Sequence, residues 1–351
     1  MKAVLLTRGD PDALTGGSLY HRRIAARSRP LGVDVDIRPL AAGDDPREAA
    51  RGADVVVVDS IVASRVRPDA LGRPVVASVH QRPGGLTGQV ARRAARWALD
   101  RRCYRRASVV VVPSAFLASE LARAGIPASR VRIVAPGCST PMVAPRETRS
   151  TPPGTAVEFA SVANLSAHKR PFDLLDGFAR LADLDVSLAI VGGATDPRLA
   201  ERVGRRLARP DLAGRARWLG PLSPEAVAAV LASADVFALP ALHEGYGMVV
   251  TEAMRAGLPA IVARSGNLPD LVRDGVDGIV VGPRDAGALA AAMRRVASEA
   301  SLRRAMGAAA RLRAEGFPSW EEAAERFCAV LRAAHASGPG APVSGDPTSA
   351  V

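Results

Sequence analysis

The sequence predicts an α/β protein made of two doubly wound, parallel-sheet domains, and three observations predict it. Short apolar β-type runs recur along the whole chain, each followed by a stretch of helical character. The runs are near-continuous in Val, Ile and Leu, which marks strands buried on both faces of a parallel sheet. A single Pro/Ser/Thr-rich segment, STPMVAPRETRSTPPGT (139–155), interrupts the alternation near mid-chain, as a linker does. At 351 residues the chain is long enough for both domains.

The first domain, 1–145, opens on AVLLT (3–7), an apolar run that ends in a turn and is too short for a signal peptide. DALTGGSLYHRRIA follows, a glycine turn leading into a helix over 18–30. Ser18 is read as its N-cap, and His21 falls one turn in, where a solvent-exposed position and a part in the site are both open. VDVDI (33–37), DVVVVD (54–59), PVVASVH (74–80), SVVVV (108–112) and VRIVA (131–135) supply further strands, with helices over 88–106 and 114–124. The second domain, 146–317, repeats the pattern through AVEFASV (156–162), VSLAIVG (186–192), ARWLG (216–220), DVFAL (235–239), PAIVA (259–263) and GIVVG (278–282). A closing helix (318–335) ends the fold, and the tail 336–351 reads as disordered. Two such units facing each other leave a cleft at the carboxyl ends of their sheets, where this architecture takes ligands.

Composition narrows the function. No window approaches the roughly 18 apolar residues of a membrane span, and three cysteines without metal or disulfide spacing point to a reducing compartment. The formal charge of +12 is one-sided: residues 1–150 carry 25 Lys+Arg against 13 Asp+Glu, and the remainder 22 against 22. With few aromatics to stack bases, nucleic acid is disfavoured as a partner, and an anionic acceptor or membrane face is favoured. QVARRAARWALDRRCYRRA (89–107) has seven arginines to one aspartate and reads either as a basic amphipathic helix able to lie on an anionic leaflet or as a solvated surface helix of the first domain. The expected location is cytoplasmic, with the inner face of the plasma membrane as a contact.

The most informative stretch is PALHEGYGMVVTEAMRAGLPAIV (240–262). A strand turns through glycines into a short helix, so unpaired amides and the positive end of a helix face whatever sits above the turn. Two carboxylates, Glu244 and Glu252, flank that anion site, which makes sense for a ligand carrying both phosphates and hydroxyls. Only two of the 47 basic residues are lysines, Lys2 and Lys169, so the mid-chain ammonium of Lys169, a compact point charge, stands out. DxD strings at Asp34/Asp36 and Asp183/Asp185 read as solvated positions, and no cluster has metal spacing. RGDPDALTGG after the first strand lacks the spacing of a dinucleotide fold.

The pattern E-G-Y-G-x-x-x-x-E with its AGLPAI follow-on resembles the family-4 retaining glycosyltransferases of the GT-B fold, over roughly residues 1–335. That resemblance implies two Rossmann-like domains facing across a cleft, with a C-terminal helix crossing back. It implies an acceptor domain first and a nucleotide-sugar donor domain second. It puts the donor sugar on Glu244, the ribose on Glu252, and sugar and phosphate oxygens on the amides of Gly245, Tyr246, Gly247 and Met248. In SVANLSAHKRPFDLLDGF, Lys169 matches the diphosphate lysine. Asn164 stands where the family has arginine, and Arg170 where it has glycine. Gly16 and Gly17 correspond to a Gly-Gly loop closing over donor or acceptor, and His80 to a histidine near the reacting sugar. Gly193 and Leu222 lie on loops that take the base, and His168 could add to the phosphate side.

The implied activity is metal-independent retaining transfer of a sugar from a nucleoside diphosphate to a hydroxyl of a lipid-linked or anionic acceptor, with no cofactor. Glu244, His80 and Lys169 are its catalytic candidates. A nucleotide-sugar epimerase or phosphorylase on the same fold, or a non-catalytic basic protein binding anionic ligands or nucleic acid, remains the alternative.

Overall fold

The computed structural model describes residues 1–82, 84–85, 90–138, 156–194 and 196–343. The expected linker 139–155, Gln89 at the head of the basic stretch and the last eight residues of the expected tail lie outside the described residues. The chain divides into two compact units, Met1–Gly137 with Pro318–Val351, and Cys138–Phe317.

The first unit runs β1 (Lys2–Thr7), α1 (Gly16–Ser28), β2 (Asp34–Pro39), α2 (Pro46–Ala49), β3 (Val55–Asp59), β4 (Val75–Ser78), α3 (Val90–Arg106), β5 (Val109–Val112), α4 (Ala115–Arg123) and β6 (Val131–Ile133). All strands are parallel, in the order β2-β1-β3-β4-β5-β6. Val4, Leu6, Val56, Val58, Ala77 and Val110 pack into one apolar cluster with Tyr104 and Leu117. Their strand neighbours Leu5, Val55, Val57 and Val76 are equally buried, as a sheet covered on both faces requires.

The second unit runs β7 (Val157–Val162), α5 (Pro171–Ala179), β8 (Val186–Val191), α6 (Pro197–Leu207), β9 (Ala216–Trp218), α7 (Pro224–Ser233), β10 (Val236–Leu239), α8 (Met248–Arg255), β11 (Ala260–Ala263), α9 (Leu268–Leu271), β12 (Gly278–Val281), α10 (Ala286–Ser298) and α11 (Ala300–Ala314). Its sheet is ordered β12-β11-β10-β7-β8-β9. Adjacent residues feed opposite cores: Phe159, Val236 and Ile261 belong to one cluster, Ala160, Phe237 and Val262 to the other. Proline at the start of α5, α6 and α7 suits the first helical turn, where the missing N–H costs nothing.

The chain then returns to the first unit as α12 (Trp320–Ser337). Ser319 and Glu322 form a reciprocal capping box at its start, and Trp320 and Phe327 pack their rings against Tyr20. Gly137 is required here, because a Cβ on it would stand 2.6 Å from the Ser319 carbonyl carbon and overlap the Trp320 backbone.

Two expectations need correction. The cap of α1 is Thr15, whose side chain accepts from Ser18 N–H at 3.2 Å, so the helix starts at Gly16 and Ser18 lies within it. The tail is ordered further than expected. α12 continues to Ser337, and Val343 donates its N–H to Ser108 O at 3.2 Å while its own carbonyl accepts from Arg132.

Candidate active site

In the second unit the strand order is that of a Rossmann sheet, 6-5-4-1-2-3 counted from β7. Loops leaving β7 and β10 diverge, and the crevice between them is the expected ligand position. Lys169 and Glu244 close on each other across this switch point as an ion pair, each about one-fifth exposed (19% and 18%). Leu242 N–H donates to His168 O at 2.7 Å and staples the same two loops. His168 itself is pushed down to about 4, first by burial and then by the Lys169 charge, so its ring is neutral at pH 7.

Lys169 ends a 3-10 turn, Ala167–Lys169, and Arg170 follows at φ 56°, the left-handed region. That geometry explains why the resembling motif has glycine there. Arginine in this conformation costs about 1–2 kcal/mol, offset by a two-pronged contact with Asp173: Nε to Oδ2 at 2.8 Å and Nη2 to Oδ1 at 2.7 Å. The Arg170 guanidinium is therefore turned onto its own helix. Asn164 Oδ1 accepts from Gly193 N–H at 2.9 Å, and Leu165 N–H donates to Gly193 O at 2.7 Å, tying the ends of β7 and β8 together. Pro221, beside the partly buried Leu222, lies 3.8 Å from where a Gly193 Cβ would be. Asn164 and Gly193 thus meet at the ends of β7 and β8, with Leu222 next in sequence to the neighbouring Pro221, while Lys169 and Glu244 pair across the loops that follow β7 and β10.

The glycine turn behaves as its residues imply. Gly247 caps α8 with φ 105°, ψ 44°, and no side chain caps the helix. No acid lies in the first turn of α8. Glu252 is four residues beyond Met248, hence one turn in on the same face and partly exposed. The turn is held from the β11 side by residues that sequence reasoning missed. Asn267, 4% exposed, donates its N–H to Glu244 O at 3.0 Å and its Nδ2 to Tyr246 O at 2.8 Å. Ser265 Oγ donates to Leu242 O, and Gly266 at φ 61° brings its backbone against that of Glu244. SGNLP after an apolar strand is a second strand–turn–helix signal that could have found them.

In the first unit the order 2-1-3-4-5-6 puts the switch between β1 and β3. Thr7 and Asp59 end those two strands, joined by a 2.8 Å hydrogen bond from Thr7 Oγ1 to Asp59 Oδ2. His80, two residues past β4, is half-buried, with Nε2 3.0 Å from Ser78 Oγ and 2.8 Å from His21 Nε2. His21 is 2% exposed, which excludes the solvent-facing reading: α1 turns that face down onto the sheet. Desolvation and then the His21 ring hold His80 at about 3, and desolvation lowers His21 against the pull of Asp59. Gly17 sits over the ring, its absent Cβ 3.9 Å from His80 Cδ2, with Gly16 beside it at the helix start.

The remaining candidates are ordinary surface charges. Asp34 pairs with Arg29, Asp36 with Arg38 and Asp183 with Arg294. Among the described residues no three metal-binding side chains come together, and all three cysteines are buried thiols.

Two doubly wound units, the second with a side-chain-uncapped helix start, a lysine and carboxylates gathered at its switch point, define the class as a doubly wound α/β protein. The chain belongs to the family-4 glycosyltransferases: the Glycosyltransferase Family 4 model matches residues 2–140 and the Glycosyl transferases group 1 model residues 146–313. D-inositol 3-phosphate glycosyltransferase of Corynebacterium diphtheriae is 32% identical over 214 residues, 57% of this chain and 50% of that protein. MMP alpha-(1->4)-mannosyltransferase of Mycolicibacterium hassiacum is 31% identical over 280 residues, 75% and 66% of the two chains. The chain spans about half the length of the D-inositol 3-phosphate glycosyltransferases it matches. Among solved structures, Anabaena Alr3699/HepE in complex with UDP-glucose superposes with a TM-score of 0.80 at 17% identity, covering 95% of this chain and 99% of that one. The shared fold is GT-B.

Proposed function

We propose that this protein is a retaining glycosyltransferase that moves a sugar from a nucleoside diphosphate to an acceptor hydroxyl. The observation that carries the proposal is the Lys169–Glu244 pair at the switch point beside the uncapped start of α8. A cation, a helix end and two carboxylates suit a ligand that joins a diphosphate to hydroxyl-bearing rings. The names of the relatives and the UDP-glucose bound to HepE support the same reading.

In this proposal the nucleotide lies along Asn164, Gly193 and Leu222, Glu252 takes ribose hydroxyls, and Glu244 takes hydroxyls of the donor sugar. Lys169 exchanges its carboxylate partner for the diphosphate and offsets the charge that grows as the bond from the anomeric carbon to the β-phosphate breaks. The acceptor hydroxyl attacks the same face, and its proton passes to the departing phosphate oxygen. The protein contributes positioning and charge stabilisation, and His80 contributes a hydrogen bond to a sugar hydroxyl.

The acceptor is proposed to be anionic, in keeping with the excess charge on residues 1–150 and with an inositol phosphate in a relative's name. α3 extends the proposal to an anionic membrane face. Arg92, Leu99, Arg102 and Arg106 recur at helical spacing and are all exposed, Leu99 at 44%. No described helix is long and apolar enough to cross a membrane.

The experiment is a thermal-shift and transfer screen with UDP, GDP, ADP and their sugars on the wild-type chain and on Glu244→Ala. Ligand-dependent stabilisation, with transfer lost in the variant, is the expected result. Full turnover by Glu244→Ala sinks the assignment of that residue, and indifference to every nucleoside diphosphate sinks the function. Equal binding to anionic and neutral vesicles sinks the membrane contact.

A further inference from the structure

The first unit contains a chain of buried polar groups behind His80 that reaches from β3 through α1 to β4. The Asp59 carboxylate, 8% exposed, is held on both oxygens. Oδ2 accepts from Thr7 Oγ1 at 2.8 Å, and Oδ1 accepts from Ile61 N–H and Ser60 Oγ, both at 3.1 Å. His21 Nδ1 lies 3.7 Å from Asp59 Oδ2, and the opposite nitrogen, Nε2, lies 2.8 Å from His80 Nε2. Among the described residues no group hydrogen-bonds His80 Nδ1.

Two ring nitrogens 2.8 Å apart share one proton; Ser78 Oγ, 3.0 Å from the same His80 Nε2, can accept or donate and so does not choose between them, and the carboxylate decides which ring supplies the proton. A lone pair on His21 Nδ1 facing an ionised carboxylate would be repelled, whereas an N–H there is attracted. His21 therefore carries its proton on Nδ1 and accepts at Nε2. His80 then donates from Nε2, which leaves its Nδ1 as a lone-pair acceptor. Packing fixes the ring plane as well: Tyr20 meets it edge-on at 4.8 Å between centroids, and Gly17 closes over Cδ2.

We propose that His21 and Asp59 are positioning residues that hold His80 as the Nε2–H tautomer, so that His80 meets its ligand with Nδ1 as a hydrogen-bond acceptor. The group it selects is then a hydroxyl, because a neutral ring presenting a lone pair repels a phosphate oxygen. This rests on the reading that His80 contacts a sugar hydroxyl. It adds which nitrogen does so, and which two residues determine that choice. Burial of both rings, which disfavours their protonated forms, agrees with the assignment.

The test combines long-range proton–nitrogen NMR of the histidine rings with kinetics of four variants. In the wild type, His80 should show a protonated Nε2 and an unprotonated Nδ1, and His21 the reverse. A protonated His80 Nδ1 overturns the proposal without any variant. Asp59→Asn should mix the His80 tautomers and lower kcat about tenfold, the scale of one lost neutral hydrogen bond, with donor KM nearly unchanged. His21→Leu should do the same, and His21→Gln, which keeps an acceptor for His80 Nε2–H, should recover most of the loss. Wild-type tautomers and kcat in folded Asp59→Asn and His21→Leu overturn the positioning role. The two failures are separable, because full activity in His80→Ala would instead overturn the reading of His80 on which the proposal rests.

Discussion

Gly266→Ala tests the geometry of the proposed donor site most directly. The φ of Gly266 is 61°, and a Cβ there would overlap the Glu244 carbonyl and stand 2.7 Å from the Glu244 amide nitrogen. Two costs follow. The left-handed backbone costs an L-residue about 1–2 kcal/mol, and overpacking adds about 1–3 kcal/mol unless the Glu244 turn yields. Relief to ordinary van der Waals separation requires a shift of roughly 1 Å, and a misplacement of that size in a reacting group costs about 100-fold in rate. Gly275 supplies the control: its φ is 75° and nothing lies within 4 Å of its Cβ position, so Gly275→Ala carries the backbone cost alone. Denaturant unfolding and initial rates of nucleoside diphosphate release, run on both variants, separate the contributions. Gly266→Ala should either lose about 1–3 kcal/mol more stability than the control or lose about 100-fold in kcat/KM. Indistinguishable stability and rate in the two variants would refute the claim that Gly266 sets the position of Glu244.

Three further outcomes follow from the same contacts. Lys169→Met should weaken nucleoside diphosphate binding in calorimetry by about 10–100-fold, the worth of a charge-assisted hydrogen bond, and Lys169→Arg should not restore it because a fork replaces a point charge. His80 and His21 are both depressed below the ordinary histidine value, so the unfolded chain binds more protons than the folded one as pH falls below about 6.5. Their contribution to stability is complete above that pH and is lost towards about 3, where His80 titrates in the fold. Unfolding free energy should fall through that window with a slope approaching about 1.4 kcal/mol per pH unit for each histidine, and a flat profile would contradict the burial argument. Gly137→Ala should lower the melting temperature, by a loss of about 1–3 kcal/mol, because the start of α12 must move off the residue; unchanged melting would show that α12 tolerates the displacement.

The strands were legible because burial on both faces leaves little choice of residue. VVVV at 55–58 and AIVA at 260–263 are strands whatever surrounds them, and all twelve runs are found within a few residues of their expected limits. The starts of α6 and α7 were not placed from sequence, although Pro after an acid or serine, as at Asp196–Pro197 and Ser223–Pro224, is a local cap-and-proline signal that marks them. Thr15 was missed because Thr and Ser both cap, and only the backbone of the Gly-Gly turn decides between them. In the site, the glycine turn with Glu244 and Glu252 was legible because its features adjoin in sequence. His21 was not: whether the second turn of α1 faces solvent or sheet depends on how α1 docks, which no local pattern carries.

The two polar clusters show why strand order matters beyond the motifs. In the first sheet the order reverses between β1 and β3, and Thr7 and Asp59 end those strands. In the second it reverses between β7 and β10, whose following loops carry Lys169 and Glu244. The same topological rule therefore places a polar group in each unit, but the surroundings give opposite electrostatics. Asp59 is the sole carboxylate in a buried network of neutral rings and hydroxyls, so its effect passes through protons on nitrogen. Lys169 and Glu244 form a partly solvated ion pair, so under the proposed function the diphosphate and sugar exchange with an existing pair rather than face an unpaired charge, which keeps desolvation small. The Arg170–Asp173 contact fits that logic. An unpaired guanidinium beside Lys169 would repel it, and turning Arg170 onto Asp173 removes that repulsion while supporting the left-handed residue that ends the turn.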